Sequence, residues 1–90
     1  MSQFHLQIIT PDGVQFDGQS QQLSVRGTEG ELAILAGHLP LVTALAEGEC
    51  RVYTDDGIRK AYCTGGMLSC SKEITRLFST DFAWKETEES

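Results

Sequence analysis

Apolar residues recur at every second position in short runs along this chain, and no ten-residue stretch carries the spacing of a helix. Period two sends successive side chains to opposite faces of an extended backbone, so each run is a strand with one face for a core. Phe4, Leu6 and Ile8 alternate with His5 and Gln7 until Pro11, Asp12 and Gly13 turn the chain. A short strand is expected over 14–17, ended by Gly18. A longer one follows, in which Gln21, Leu23 and Val25 alternate with Gln22, Ser24 and Arg26 before Gly27 stops it. The clearest hairpin is GECRVYT, turned at Asp55, Asp56 and Gly57, residue types that tolerate positive φ, and returned by 58–64. Gly65 and Gly66 break that return ahead of Met67, Leu68 and Cys70, which predicts a bulge or sharp bend carrying the chain from one sheet to the next. Residues 74–79 close the series. About eight to ten such strands describe an all-β antiparallel sandwich or flattened barrel over 1–82. A polar, acidic tail over 83–90 follows, in which Trp84 is out of place unless it packs back on the body.

Ninety residues make one domain with one modest core. Seven Lys and Arg against thirteen Asp and Glu give a net charge of −6, which repels a phosphate backbone, so nucleic acid is excluded as a partner. The N-terminus has neither the basic residues nor the long apolar segment of a secretory signal, and a cytosolic address is expected. Cys50, Cys63 and Cys70 form no CxxC pair and have no accompanying His cluster; they read as small buried hydrophobes rather than disulfides or metal ligands.

Leu32 to Ala46 is the anomaly, fifteen residues without a formal charge in an otherwise acidic chain. A spanning helix needs about 20 mostly apolar residues, and Gly37, His38 and Pro40 interrupt this run. Cover by another protein is the better explanation.

Three motifs resemble one known family. FHLQIITPDGVQFDG looks like the first strand and turn of the epsilon subunit of rotary ATP synthases, TEGELAILAGHLPLVTAL is similar to its central loop and GHxPL motif, and TGGML matches its Gly-Gly followed by an apolar pair. They occur in the family's order and spacing over nearly the whole chain. Ala36 stands where the family often has Pro, and Leu39 where it often has Ala. The resemblance implies a ten-stranded β-sandwich at the foot of the central stalk. It would be a non-catalytic, cofactor-free subunit held peripherally at the cytoplasmic face of the membrane between the gamma subunit and the c-ring, coupling proton or sodium translocation to ATP synthesis. The family's C-terminal helical hairpin has no counterpart in these residues, so neither its nucleotide contact nor its inhibitory role is carried over.

The same resemblance distributes the candidate residues. Thr28, Glu29, Gly30 and Glu31 would meet the polar loops of the c-ring; by themselves they describe an acidic two-glycine turn that can offer both carboxylates to basic groups. Thr10, His38, Leu41, Val42 and Thr43 would meet gamma, although Leu41, Val42 and Leu45 are equally plain sandwich core, and the sequence does not sort them by face. Gly37, Pro40, Gly65 and Gly66 serve turns. No second His or Cys lies at ligand spacing from His38, which gives no metal site, and no nucleophile has a neighbouring base, which gives no catalytic residue. Gly65 and Gly66 open a strand and lack the Lys and Ser/Thr of a phosphate loop. The alternative function is a free-standing ligand- or peptide-binding sandwich, poorly supported by one Trp, two Tyr and four Phe.

Overall fold

In the computed structural model, which describes residues 2–85, ten strands follow one another with only turns between them. They are β1 (Phe4–Thr10), β2 (Gly13–Ser20), β3 (Gln22–Gly27), β4 (Gly30–Leu35), β5 (Leu41–Leu45), β6 (Gly48–Thr54), β7 (Gly57–Cys63), β8 (Gly66–Cys70), β9 (Thr75–Ser79) and β10 (Phe82–Trp84). The hydrogen-bonded order is β10-β7-β6-β3-β5-β8-β9-β1-β2, with β4 on the other side of β3. One bridge, Gly27 to Leu45, joins β3 to β5. The sheet therefore curls into two five-stranded halves, one of β4, β3, β6, β7 and β10, the other of β5, β8, β9, β1 and β2. All pairings are antiparallel except β1 with β9, a parallel pair that local alternation does not announce.

Alternation decides which side chains meet between the halves. Leu6, Ile8, Leu68 and Leu77 from one half and Leu23, Ile34, Cys50 and Val52 from the other are fully or almost fully buried in one cluster. Burying each such aliphatic side chain contributes about 1.5–3 kcal/mol. The cysteines are buried and unpaired; burial pushes the Cys50 thiol up to about 12 and raises that of Cys70, so these thiols stay protonated and inert.

The structure changes four expectations. Gly18 does not end a strand; it sits within β2 opposite Leu6, with the Phe16 ring 3.7 Å from where its Cβ would be. The break comes at Gln21, whose amide donates to the Tyr53 carbonyl, while the buried Ser20 hydroxyl lies within hydrogen-bond reach of the Gln22 and Tyr53 carbonyls. At the β6–β7 hairpin, only Gly57 takes a positive φ, 124°, and Asp55 and Asp56 do not. The Thr54 hydroxyl receives the Asp56 amide, as the Thr10 hydroxyl receives that of Asp12 at the β1–β2 hairpin. The run from Leu32 to Ala46 contains two strands, β4 and β5, that its unbroken apolar character concealed. Lastly, the boundary at 82/83 falls inside β10, which pairs with β7, and the Lys85 amide bonds the Lys60 carbonyl. The body thus reaches Lys85, and the rest of the expected tail lies outside the described residues.

Trp84 does pack back on the body. Its ring meets Phe82 edge-on at 5.0 Å and Phe16 of β2 at 6.3 Å, and the Arg59 guanidinium lies 3.9 Å over it. These groups pack across the seam between β7 and β2.

Candidate functional site

Outward-facing positions, not a cleft, carry the chemistry of this molecule. Four apolar doublets, Ile8–Ile9, Leu41–Val42, Met67–Leu68 and Leu77–Phe78, break the alternation of their strands, and in each one side chain is forced outward. The register aligns them: Ala44 faces Met67, Met67 faces Phe78, Phe78 faces Ile9, and Ile9 faces Val14. An apolar row thus crosses all five strands of the half from β5 to β2, with Val42 two residues along from Ala44. Val42 is 67 %, Val14 57 %, Met67 48 % and Phe78 40 % exposed. Beside the row lies an open groove of about 610 Å³ lined by Ile9, Thr10, Pro11, Met67, Phe78 and Thr80. Met67, Phe78, Ile9 and Val14 were not among the candidate site residues taken from sequence; the doublets were the signal for the first three, and Val14 had none.

Beyond Val42 the neighbouring outward row is polar: Ser69, Arg76, Gln7 and Asp17 stand side by side. His5 Nε2 lies 2.5 Å from Asp17 Oδ1, the Gln7 amide donates to Asp17 Oδ2 at 3.3 Å, and Arg76 Nε donates to Gln7 Oε1 at 3.1 Å. The hydrogen bond from His5, then that from Gln7, holds the Asp17 carboxyl below its ordinary pKa.

The expected gamma-facing residues are dispersed. Val42 points out among the apolar row, whereas Leu41 and Thr43 turn toward the interior and Leu45 is buried. Thr10 is buried, its hydroxyl engaged by Asp12, Gln15 and the Gly13 carbonyl. His38 lies beyond the far end of β4, in the exposed loop with Gly37, Leu39 and Pro40, where its amide bonds the Leu35 carbonyl at 3.1 Å. Leu39 there is 78 % exposed.

Thr28, Glu29, Gly30 and Glu31 form the tight β3–β4 turn at the opposite end of β4, all exposed, with Gly30 at φ 131°. Neither carboxylate makes an ion pair among the described residues. Gly66 has φ 142°, and a Cβ there would fall 1.8 Å from the Phe78 carbonyl oxygen, so the bend at Gly65 and Gly66 is tied to the close seating of β8 on β9. Among the described residues no group of three metal-ligating side chains converges, and no helix is long and apolar enough to cross a membrane.

Residues 3–85 match the family model of the ATP synthase delta/epsilon chain β-sandwich domain. The chain belongs to that family. It is 34 % identical over 85 residues to the ATP synthase epsilon chain of Alkaliphilus oremlandii, covering 94 % of this chain and 63 % of that one. It is 37 % identical over 84 residues to the sodium ion specific epsilon chain of Acetobacterium woodii, covering 92 % and 63 %. Its backbone superposes with a TM-score of 0.86 on a chain of the Euglena gracilis mitochondrial ATP synthase, at 22 % identity, over 93 % of this chain and 54 % of that one. The fold is shared, and the chain spans about two thirds of the length of these epsilon relatives. It is therefore a β-sandwich domain of the ATP synthase delta/epsilon chain family.

Proposed function

We propose that this sandwich is a non-catalytic coupling body, held between gamma and the c-ring so that rotation of the ring reaches the shaft and ion translocation, of protons or sodium, drives ATP synthesis. It works as a rigid wedge, peripheral to the membrane at its cytoplasmic face. A curled sheet with a close-packed interior deforms little, which is what transmission of torque requires. The single observation that carries this proposal is the apolar row from Ala44 and Val42 through Met67, Phe78 and Ile9 to Val14, an uncovered band on an acidic chain.

On this proposal the outer face of the β5-to-β2 half takes gamma, and Val42 is the one residue of the expected gamma set that stands in it. The Thr28–Glu31 turn takes the ring. Each exposed ion pair there contributes only about 0.2–1 kcal/mol, so Glu29 and Glu31 set register and choice of partner more than affinity. His38 and Leu39 stand off both surfaces, and a contact from them has to come from a partner that wraps the end of the sandwich.

Co-purification with gamma tests the first contact. Retention on the c-ring tests the second: Glu29→Lys combined with Glu31→Lys is expected to weaken attachment to the ring at low salt while melting stays unchanged. Full retention by the double variant would remove this turn from the interface.

A further inference from the structure

Arg76 is the only Lys or Arg in the five strands of the half that carries the apolar row. It stands on the central strand of that half, β9, two residues before Phe78 and between Ser69 and Gln7. Three other cations are engaged internally, Arg51 and Lys85 with Glu49 and Arg59 with the Trp84 ring, whereas Arg26, Lys60 and Lys72 make no ion pair among the described residues. Arg76 makes no ion pair among the described residues. Its Nε is tied at 3.1 Å to Gln7, which bonds Asp17, which bonds His5. This chain of four side chains engages the guanidinium through Nε and leaves its terminal nitrogens without a hydrogen bond among the described residues.

We propose that Arg76 is a specificity residue of the docking face, which receives a carboxylate presented from within an apolar patch of the partner protein. The inference rests on the assignment of this face to gamma. Its logic is desolvation. A partner that covers Met67, Phe78 and Ile9 also covers Arg76, which is at the middle of the same half and not at its rim, and an arginine taken out of water without an anion is strongly penalised. A guanidinium held by Nε keeps a planar pair of donors free, the geometry that a carboxylate accepts at two points. The relay lowers the side-chain entropy lost on docking. Asp17 is two strands away across Gln7 and is already occupied by His5, so the partner has to supply the acid.

The test is binding of purified gamma to the chain and three variants over a salt series, with thermal melts alongside. Arg76→Gln is expected to weaken binding at least about tenfold and to flatten its salt dependence, Arg76→Glu to weaken it further, and Arg76→Lys to fall between Arg76→Gln and the parent. A charge reversal at one Asp or Glu of gamma should restore binding to Arg76→Glu. Met67→Asp, in the apolar row, reports the face itself. If Met67→Asp weakens binding and the Arg76 variants do not, the face stands and the role of Arg76 is overturned. If none of the variants changes binding, or gamma does not bind the parent, the assignment of the face falls and this inference falls with it. An Arg76→Gln variant whose melting temperature drops while binding per folded molecule is unchanged shows that the relay serves the fold alone, which also overturns the proposal.

Discussion

The two outer faces of the sandwich are both built from short alternating strands, five to each half, yet they present opposite surfaces. On the half of β3, β4, β6, β7 and β10, the strands carry Arg26, Glu31, Glu49, Arg51, Arg59 and Lys60. Outward rows there cross Ser24, Arg51 and Lys60, and then Glu49 and Tyr62. Several groups on this side are paired: Lys85 and Arg51 hold Glu49, Lys85 chief among them in keeping its carboxyl below the ordinary range, and the Tyr62 hydroxyl donates to Glu47, which raises the phenol. On the half of β5, β8, β9, β1 and β2, only Asp17 and Arg76 carry formal charge, and the middle row is hydrocarbon. On the proposed function, the second face is the one that a partner covers. Inside, the halves are alike, since both contribute equally buried aliphatic residues to one core. Function therefore lies in the outward parity, which the fold leaves free to vary.

The comparison depends on β8 sitting tightly against β9, so its largest breakage is at Gly66. Gly66→Ala would drive a methyl group to 1.8 Å from the Phe78 carbonyl at a φ of 142°. Relief requires β8 and β9 to part, and with them Met67, Leu68, Leu77 and Phe78. A loss of about 4 kcal/mol or more is expected, read as a collapse of the denaturant midpoint. Melting like the parent's would mean that the two strands are not locked as described.

A smaller effect sharpens the contrast between the faces. Phe78→Asp and Tyr62→Asp both place a carboxylate at a partly exposed aromatic position, Phe78 being 40 % and Tyr62 42 % exposed, so their effects on folding should be alike. Their effects on gamma should differ: about 2 kcal/mol or more of binding lost at Phe78, as at a docking hot spot, and under about 0.5 kcal/mol at Tyr62. Equal losses in a direct binding titration would erase the distinction between the faces.

Much of this architecture is legible in the sequence because it is local. Alternation in Phe4–Ile8, Leu23–Val25 and Cys50–Val52 gives the inner face without any knowledge of partners, and Pro11–Gly13 and Asp55–Gly57 mark their hairpins. The failures have physical reasons as well. Gly18 looks like a terminator because glycine lacks a packing surface, but the Phe16 ring supplies one. Leu32–Leu35 and Leu41–Leu45 hide as strands because their outward positions, Ala33, Leu35, Val42 and Ala44, are apolar too. The docking row was the least accessible: each doublet is visible in its own strand, but their alignment depends on the register of β5, β8, β9, β1 and β2. One of those pairings is parallel and joins residues about seventy positions apart. That is also why the candidate gamma residues, taken from one contiguous segment and Thr10, are scattered over an interior, an end loop and a turn.

The smallest predicted effect concerns the single carboxylate of the apolar half. Asp17 has its pKa lowered from 3.8, first by the His5 hydrogen bond and then by that of Gln7. A carboxyl more acidic in the folded state than in the unfolded chain stabilises the fold above its unfolded pKa, and that contribution is lost as pH falls through the folded value. Its window is thus below about pH 4, on the acid limb, and it is fully present at neutral pH. Asp17 is solvated, so the contribution is screened and small. Asp17→Asn should change the melting temperature by no more than about 2 °C at pH 7 and should make the acid limb shallower between about pH 2 and pH 4. Glu49→Gln on the other face, where Lys85 lowers the carboxyl, should do the same to a similar degree. The two faces would then match in their acid response while differing in partner binding, because only desolvation by a partner distinguishes them. An Asp17→Asn variant that weakened gamma binding without moving the melt would instead show that the relay's acid serves docking, through its hold on Gln7 and Arg76.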